Sequence, residues 1–401
     1  MAPVRALLLE SLHPKATEIL TAAGISVENH AGALDEDELI DALDGVQLLG
    51  IRSKTQLTER VIQARPELIA VGAFSIGTNQ IDLAAAARHG IAAFNAPFSN
   101  TRSVVEMAVS EMISLTRRLP DHNSKLHAGV WSKSATGAHE IRGRTLGIVG
   151  YGNIGSQLSV IAEALGMNVI FYDNAEKLAL GNATRMPTLE SLLAEADIVT
   201  LHVDGRAGNS GFFGRPQFET MKPGALFLNL SRGFIVDIQA LKEQLESGHI
   251  GGAAVDVFPD EPKKTGDLFV SPLQNMPNVI LTPHIGGSTE EAQRDIGIFV
   301  ATRLRDYVFH GSTSLSVNLP NLSLDQVQGS HRIAHLHENI PGVLAAVNQV
   351  FAEHNVNIDA QLLGTRGELG YVVTDVASGM DEDAVSALAQ MPGTVRLRVL
   401  S

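Results

Sequence analysis

The sequence predicts an α/β protein with two doubly wound parallel sheets and a small C-terminal module. Three observations support this. Short apolar runs alternate with amphipathic helical stretches over residues 4–120 and again over residues 145–284, a pattern typical of parallel strands joined by helices. A glycine-rich turn follows the first apolar run of the second series. From Ser330 onward, four strand patterns and two helical patterns follow the order βαββαβ.

The first series contains four apolar runs that predict buried strands. The helical stretches between them, such as "HPKATEILTAAG", end on a glycine. A longer helix is predicted to begin at Ser103, with Glu106 three residues later, and to run to about Pro120. The strand runs are "VRALLLE" (4–10), "VQLLGIR" (46–52), "LIAVGAF" (68–74) and "IAAFNAP" (91–97).

The second series contains six apolar runs, enough for a complete dinucleotide-binding sheet. Beyond it, Ser288 and Glu291 have the spacing of a capping box, and an amphipathic helix is predicted to follow to about His310. The runs are "TLGIVG", "NVIFYD", "IVTLHV", "ALFLNLS", "GAAVDVF" and "NVILTPH".

Composition limits the classes of function. The chain has 401 residues, of which 44% are hydrophobic and 18% charged, as expected for two or three globular domains. No apolar run reaches the length of a membrane span, so we expect no membrane partner. The absence of cysteine excludes disulfides and thiolate metal sites; we expect a cytoplasmic location and no metal ion. A formal net charge of -14 argues against nucleic-acid binding, but local cations could still bind an anionic substrate.

The glycine-rich turn indicates a dinucleotide site. Gly150, Gly152 and Gly155 follow a strand and open a helix, and the next strand ends at Asp173, 18 residues beyond Gly155. Such glycines allow a tight turn and close approach of a pyrophosphate to the helix N-terminus. A carboxylate at Asp173 would accept ribose hydroxyls and repel a 2′-phosphate, and Asn174 rather than an arginine follows it. The pattern therefore predicts NAD rather than NADP.

Three charged or titratable residues fall at the carboxyl ends of strands in the second series. Arg232 follows "FLNLS", Glu261 lies in the proline-flanked loop after "VDVF", and His284 ends the last run. Ligands of an open parallel sheet bind outside these strand ends. One such residue alone would be interpreted as a surface ion pair or a structural histidine, but the three together predict a catalytic group.

Oxidation of a 2-hydroxy acid needs groups of these three types. A neutral imidazole can take the hydroxyl proton near pH 7 while a hydride leaves C2. A carboxylate beside the ring orients it and stabilises its charged form. A guanidinium can bind carboxylate and carbonyl oxygens bidentately.

Four segments, "GYGNIG", "NLSRGFIVD", "VDVFPDEP" and "LTPHIGGST", resemble the D-isomer-specific 2-hydroxyacid dehydrogenase family over residues 1 to about 320. "GTNQIDLAAAARHGI", "NAPFSNTRSVVEMAV" and the C-terminal module resemble the branch of that family that acts on D-3-phosphoglycerate and carries an ACT regulatory domain. That resemblance implies NAD-dependent oxidation of D-3-phosphoglycerate to 3-phosphohydroxypyruvate, and the reverse, as the first step of phosphorylated L-serine biosynthesis.

The resemblance also implies three domains and particular site residues. The domains are a discontinuous flavodoxin-like substrate domain (1–99 and 287–324), a Rossmann NAD domain (100–286) and a ferredoxin-like ACT domain (325–401). Arg232 would orient the substrate, His284 would act as acid and base, and Glu261 would be its partner. Further cofactor-binding residues would be Asn153, Ile154, His202, Ser231, Asp256, Gly286 and Gly287. Substrate-binding residues would be Arg52, Ser53, Ser75, Ile76, Gly77, Asn100 and Lys133.

Arg52 and Lys133 are the candidates for binding the phosphate. Arg52 ends a strand in "LGIR", and Lys133 lies near the only tryptophan, after the long helix. A solvated surface lysine is an equally good interpretation of Lys133. Backbone N–H groups of "SIGTN" (75–79) could hold the substrate carboxylate.

The turn "HLHENIPGVL" resembles the one that binds small amino acids in ACT domains. His337 and Asn339 would contact the ligand, with Asn357 presented by a neighbouring module across a dimer interface. We expect L-serine as effector and a homo-oligomer, a tetramer in this branch. Asn and His are also ordinary turn and cap residues, which is the alternative interpretation.

Two other functions fit parts of the pattern. An NAD-sensing transcriptional corepressor would share the fold and the Arg–Glu–His set, but the chain has no evident partner-binding tail. The chain could also be a dehydrogenase for another D-2-hydroxy acid, such as glycerate or erythronate 4-phosphate. Arg52 and the C-terminal module argue against this alternative, although neither is decisive alone. NADH oxidation with phosphohydroxypyruvate distinguishes these functions.

Overall fold

The chain forms two compact units in the computed structural model, which describes residues 3–262, 266–325, 327, 329–377 and 382–400. The first unit comprises Met1–Ser99 and Glu290–Ser401, and the second comprises Asn100–Thr289. Our three-domain division, with a separate ACT domain from residue 325, stays a proposal. Positions 326, 328, 378–381 and 401 of the predicted ACT domain lie outside the described residues.

The amino-terminal part of the first unit is a parallel sheet with helices between its strands. The strands are β1 (Arg5–Leu8), β2 (Ser26–Asn29), β3 (Leu48–Ile51), β4 (Ala70–Ala73) and β5 (Ala92–Phe94). The helices are α1 (Pro14–Ala22), α2 (Glu36–Ala42), α3 (Glu59–Ala64) and α4 (Leu83–Arg88). The strand order β2-β1-β3-β4-β5 is the flavodoxin-like order. The sequence did not predict β2, because this edge strand is polar and largely exposed and so lacks an apolar run.

The second unit is a larger parallel sheet. Its helices are α5 (Thr101–Thr116), α6 (Leu119–His127), α7 (Asn153–Ala164), α8 (Leu189–Glu195), α9 (Arg215–Thr220) and α10 (Ile238–Glu246). Its strands are β6 (Thr145–Val149), β7 (Asn168–Tyr172), β8 (Thr184–Arg185), β9 (Ile198–Leu201), β10 (Ala225–Asn229), β11 (Ile250–Val255) and β12 (Val279–Leu281). The order β12-β11-β10-β9-β6-β7-β8 extends the dinucleotide-binding order by one strand.

Two predictions for this unit were wrong in detail. The long helix predicted from Ser103 to about Pro120 is two helices. Arg118 between them adopts a left-handed conformation with φ 54°, and Pro120 falls in the first turn of α6, where its missing N–H costs nothing. The two-residue edge strand β8 was missed because it is exposed and polar.

The carboxyl-terminal part of the first unit begins with a long helix and ends in a small antiparallel sheet. The helices are α11 (Glu290–His310), α12 (Val343–Glu353) and α13 (Glu382–Gln390). The strands are β13 (His331–Glu338), β14 (Ile358–Arg366), β15 (Leu369–Val376) and β16 (Thr394–Leu400). The order β14-β15-β13-β16, with helices after β13 and β15, is the ferredoxin-like arrangement that the sequence predicts. Helix α11 ends at His310 as predicted but begins at Glu290, so Ser288 lies too early for the predicted capping box.

The four-stranded sheet uses both of its faces. Ile333 of β13 packs with Val347 of α12. The alternate residues Ala334 and Leu336 share an apolar cluster with Leu304 of α11. The sheet is therefore covered by its own helices on one face and docks on α11 with the other.

Polar contacts reinforce this docking at the C-terminal end of α11. The buried Arg332 binds Asp375 bidentately, with N–O distances of 2.6 and 2.7 Å, and donates to the carbonyl of His310 at 3.0 Å. Arg398 donates to the carbonyls of Tyr307 and Val308 at 3.1 and 2.7 Å. Cations at this end of a helix interact favourably with its dipole.

No helix among the described residues has both the length and the apolar sequence that a membrane span requires.

Asp375→Ala should destabilise the first unit by about 3–5 kcal/mol, because it leaves the Arg332 charge buried without its partner. Denaturant unfolding followed by circular dichroism measures this. The control is Asp295→Ala, which removes an exposed partner of Arg294 and should cost less than about 1 kcal/mol. Equal effects of the two substitutions would contradict the prediction.

Candidate active site

The turn between β6 and α7 has the space and the donors that a pyrophosphate needs. Gly150 has φ 93°, and a Cβ there would come within 2.6 Å of the carbonyl oxygen of His202. A Cβ on Gly155 would come within 2.3 Å of the carbonyl oxygen of Gly150, whereas the space beside Gly152 is open. The N–H groups of the first three residues of α7 make none of the described hydrogen bonds. They are therefore available to an anion at the helix N-terminus.

Asp173 lies beside this turn, directly after β7. Its carboxylate accepts the N–H groups of Tyr151 and Ala175 at 2.8 and 2.9 Å. Each carboxylate oxygen retains a lone pair, so ribose hydroxyls can still bind. Arg185, which the sequence did not single out, donates to the carbonyl oxygen of Asp173 at 3.2 Å. Asp173 and Gly150 are thus adjacent, as a dinucleotide site requires.

His284 and Glu261 form a hydrogen-bonded pair. The Nδ1 atom of His284 lies 2.9 Å from Oε2 and 3.1 Å from Oε1 of Glu261. Oε1 also accepts the N–H of Phe258 at 3.1 Å, which holds the carboxylate in place. Because Nδ1 is engaged, Nε2 is the atom that can exchange a proton with a substrate.

The pair shifts the ionisation of both partners. The hydrogen bond with Glu261 raises the pKa of His284 above its ordinary value, against the opposing effects of partial burial and the Arg232 charge. Partial burial raises the pKa of Glu261, but the hydrogen bonds with His284 and Phe258 outweigh it, so the pKa of Glu261 is lowered. Both charged forms are therefore favoured, and the imidazolium persists to higher pH than in an isolated histidine.

The backbone around His284 is held by Asp256, which is 1% exposed. The Asp256 carboxylate accepts the N–H groups of Ile285 and Gly286 at 2.8 Å each and the hydroxyl of Thr282 at 2.6 Å. Its carbonyl accepts the His284 N–H at 2.8 Å. His284 has φ 55°, a left-handed conformation that only surrounding contacts maintain in a non-glycine residue. Asp256 therefore positions this loop, and its predicted cofactor contact stays a prediction.

Arg232 is placed by a buried turn after β10. Asn229, fully buried, accepts the N–H and hydroxyl of Ser231 at 3.1 and 2.8 Å and donates to the carbonyl of Arg232 at 3.1 Å. A Cβ on Gly233 would come within 1.9 Å of the Phe258 backbone. Only glycine allows this approach, which brings the Arg232 turn against the loop that carries Glu261.

Three further predicted site residues of the second unit, His202, Gly287 and Asn100, are closely packed against neighbouring groups. His202 is completely buried, its Nε2 lies 3.0 Å from the hydroxyl of Thr200, and burial lowers its pKa to about 4. His202 is therefore neutral at physiological pH. A Cβ on Gly287 would come within 2.2 Å of the Asn100 side chain, so these two predicted site residues are adjacent.

Glu111 on α5 is a residue that the sequence did not single out. It is 4% exposed, and neither carboxyl oxygen has a hydrogen-bond partner among the described residues. Burial and the charge of Asp256 raise its pKa to about 8. Glu111 is therefore protonated at neutral pH, which avoids repulsion between two carboxylates, those of Glu111 and Asp256.

The predicted substrate residues of the first unit lie on two linked loops. Arg52 follows β3, and Ser75 follows β4. The Ser75 hydroxyl lies 3.3 Å from the Arg52 carbonyl and 2.8 Å from the Gly77 carbonyl, and Gln80 also donates to the Arg52 carbonyl. The N–H groups of Ile76 and Gly77 make none of the described hydrogen bonds, so they are available to a carboxylate.

The other predicted substrate and effector residues lie on exposed loops or at the ends of the small sheet. Ser53 is exposed beside Arg52, and Lys133 lies on an exposed segment beyond α6. In the small sheet, His337 is 3% exposed and near the end of β13, and the Asn339 side chain donates to the carbonyl of Gly367 at 3.1 Å. Asn357 precedes β14, which runs parallel to β13 with β15 between them. It therefore lies at the opposite end of the same sheet from His337 and Asn339.

Comparison with known proteins assigns these features to a family. Residues 109–286 match the model of the D-isomer specific 2-hydroxyacid dehydrogenase NAD binding domain, and residues 333–396 match an AHAS small subunit-like ACT domain. The chain is 51% identical to D-3-phosphoglycerate dehydrogenase of Escherichia coli over 99% of this chain and 97% of that protein. The chain belongs to the D-isomer specific 2-hydroxyacid dehydrogenase family.

Two further relatives agree. The Haemophilus influenzae D-3-phosphoglycerate dehydrogenase is 50% identical over 99% of this chain and 97% of its own. The crystal structure of D-lactate dehydrogenase from Aquifex aeolicus, complexed with NAD and lactic acid, superposes with a TM-score of 0.65 at 25% identity and covers 76% of this chain and 95% of that one. The protein is an NAD-dependent D-2-hydroxyacid dehydrogenase, and the predicted fold class and cofactor are confirmed.

Glu261→Gln should move the pH dependence of this dehydrogenase to lower pH. We propose that the protonated His284 supplies the proton for reduction, so the rate should fall as pH rises through the His284 pKa. Loss of the Glu261 charge removes the main cause that raises this pKa. The kcat/KM of reduction, measured against pH, should therefore begin to fall at lower pH than in the wild type. The control is Glu176→Gln, at an exposed site of the same unit, which should leave the pH profile unchanged. If the wild type, Glu261→Gln and Glu176→Gln gave the same pH profile, the proposed role of the His284–Glu261 pair would be contradicted.

Proposed function

We propose that the protein oxidises D-3-phosphoglycerate to 3-phosphohydroxypyruvate with NAD, and catalyses the reverse reduction, as the first step of phosphorylated L-serine biosynthesis. The observation that carries the proposal is the His284–Glu261 pair, with Nε2 of His284 left for a substrate hydroxyl. The relatives named above, which match nearly the full chain, supply the choice of substrate.

The reaction requires a proton and a hydride to leave the same carbinol. His284 Nε2 takes the hydroxyl proton, and Glu261 stabilises the resulting imidazolium. Arg232 binds the carboxylate and the developing carbonyl oxygen, which fixes C2 and polarises it for reduction. The turn at Gly150 and the carboxylate of Asp173 would hold NAD, which would supply the hydride acceptor for oxidation and, as NADH, the hydride donor for reduction.

The substrate phosphate is assigned to Arg52. Its guanidinium makes none of the described hydrogen bonds or ion pairs, although its backbone is held from both sides. An unpaired, partly exposed guanidinium after a parallel strand is suited to bidentate binding of a phosphate. The free N–H groups of Ile76 and Gly77 would hold the carboxylate, and Lys133 stays a second candidate for the phosphate.

Arg52→Ala should raise the KM for 3-phosphohydroxypyruvate by at least about 100-fold, since a lost bidentate contact to a charged group costs roughly 3 kcal/mol. The KM for unphosphorylated hydroxypyruvate should change little. The assay is the loss of NADH absorbance with each substrate.

Arg88→Ala, which removes an exposed arginine of the same unit, is the matched control for Arg52→Ala. Equal effects of Arg52→Ala on both substrates would assign Arg52 to folding or to the carboxylate. A wild type that reduced another 2-oxo acid far better than 3-phosphohydroxypyruvate would replace the proposed substrate.

We further propose that the ACT module, supported by the match over residues 333–396, binds L-serine and lowers turnover. The Nε2 atom of His337 is buried with no hydrogen-bond partner among the described residues, so it could donate a hydrogen bond to a bound amino acid or accept one from it. Because Asn357 lies at the other end of the sheet, a complete site would combine His337 and Asn339 of one chain with Asn357 of a second copy. Such a site requires a homo-oligomer. We propose a tetramer, as expected for this branch of the family, located in the cytoplasm.

Asn339→Ala should weaken L-serine binding several-fold without changing kcat in its absence, because it removes a carboxamide of the effector site and nothing of the catalytic group. Titration calorimetry of the whole protein measures the affinity. Gln390→Ala removes an exposed carboxamide elsewhere in the module and should bind L-serine like the wild type. If the intact protein bound no L-serine, the module would be an oligomerisation device.

A further inference from the structure

The carboxylate of Glu10 lies at the centre of the loop that carries Arg52. Glu10 follows β1 and is 9% exposed. Its oxygens accept four consecutive backbone N–H groups: those of Arg52 at 3.2 Å, Ser53 at 3.0 Å, Lys54 at 3.0 Å and Thr55 at 2.9 Å. The carboxylate of this one side chain therefore accepts the four backbone N–H groups of the turn, which would otherwise need water as their acceptor.

The backbone that presents Glu10 is itself constrained. Glu10 and Ser11 both have left-handed conformations, with φ 64° and 51°. Leu9 donates to the carbonyl of Gly50 at 2.9 Å and Glu10 to that of Gly32 at 3.1 Å. Two successive non-glycine residues in this conformation persist only where surrounding contacts hold them, and here they aim the carboxylate at the loop after β3.

The contacts leave the guanidinium of Arg52 unpaired. A buried carboxylate beside an arginine would ordinarily form an ion pair with it, but the described bonds of Glu10 go to the N–H groups of the loop. The carbonyl of Arg52 is held separately by Ser75 and Gln80. The backbone of Arg52 is thus held on both sides while its charge stays available.

The same contacts determine which groups of the Arg52–Thr55 loop remain available to bind an anion. The four N–H groups are already occupied by Glu10, so they cannot form a phosphate-binding turn. Burial raises the pKa of Glu10, but hydrogen bonds from Thr55, Ser53 and Lys54 outweigh it, so the pKa of Glu10 is lowered and the carboxylate is charged at physiological pH. Phosphate recognition on this loop would therefore depend on its side chains, among which we take the Arg52 guanidinium as the phosphate-binding group.

We propose that Glu10 is a positioning residue for the substrate phosphate: it holds the Arg52–Thr55 turn in the conformation that presents the Arg52 guanidinium. This inference rests on the proposed function, because it takes Arg52 as the phosphate-binding residue. Glu10 itself touches neither the substrate nor the cofactor.

Glu10→Gln tests the proposal, because the amide keeps the size of the side chain and loses its charge and one acceptor oxygen. The KM for 3-phosphohydroxypyruvate should rise roughly 10- to 100-fold, as expected for a displaced binding group. The values of kcat and of the KM for hydroxypyruvate should stay close to wild type. Glu28→Gln, at an exposed site on β2, should change neither KM.

A double-mutant cycle identifies the residue through which Glu10 acts. In the Arg52→Ala background, Glu10→Gln should have almost no further effect on the KM for 3-phosphohydroxypyruvate, since the group that it positions is absent. Fully additive effects, or equal effects of Glu10→Gln on both substrates, would overturn the proposal while the role of Arg52 remained. If Arg52→Ala did not distinguish the two substrates, the phosphate assignment would fail instead.

Circular dichroism and thermal unfolding show whether each variant folds. If Glu10→Gln does not fold, Glu10→Asp keeps the charge and shortens the side chain by one methylene. It should then give a smaller, phosphate-selective rise in KM, and a wild-type KM for 3-phosphohydroxypyruvate in a folded Glu10→Asp protein would overturn the proposal.

Discussion

Asp256 accepts two backbone N–H groups and one hydroxyl from the loop that follows β12, and the geometry of His284 depends on this interaction. A left-handed histidine is unfavourable by about 1–3 kcal/mol, so the conformation needs compensating contacts. The buried carboxylate supplies them, and the imidazole then meets Glu261 at hydrogen-bonding distance. Glu111 nearby is neutral, so it adds no further negative charge beside Asp256.

The same arrangement occurs at two other strand ends. Asp173 accepts the N–H groups of Tyr151 and Ala175 beside the glycine-rich turn. Glu10 accepts four N–H groups of the loop after β3. Parallel sheets place their functional loops at the carboxyl ends of the strands, where the N–H groups of each turn lack ladder partners. A carboxylate from an adjacent strand satisfies those donors and gives the loop one conformation.

The small antiparallel sheet contacts the rest of the first unit at positions that lie away from these loops. Arg396 donates to the carbonyls of Leu68 and His89, which precede β4 and β5, while Arg332 and Arg398 bind carbonyls at the end of α11. The loops of Arg52 and Ser75 lie at the other ends of their strands. The small sheet therefore contacts the ends of β4 and β5 that lie opposite the loops of Arg52 and Ser75.

The sequence by itself determined most of the fold and the class of enzyme, and it predicted a catalytic group. Apolar runs separated by helical patterns predict parallel sheets, because strands buried on both faces must be apolar throughout. The turn at Gly150 and the residue types at Arg232, Glu261 and His284 predict the chemistry. The polar edge strands β2 and β8 escaped prediction, since a strand exposed to solvent has no apolar run to mark it.

Only the tertiary structure decided how the site residues are held. Glu10 lies 42 residues before the first N–H group that it binds, and no local pattern encodes such a pairing. Asp256 and Glu111 are likewise ordinary acidic residues until the fold buries them beside other groups. Hydrogen bonds and ionisation depend on neighbours in space, whereas hydrophobic periodicity depends on neighbours in sequence. Strand and helix positions could therefore be predicted from residue order, but the conformations of the active-site loops could not.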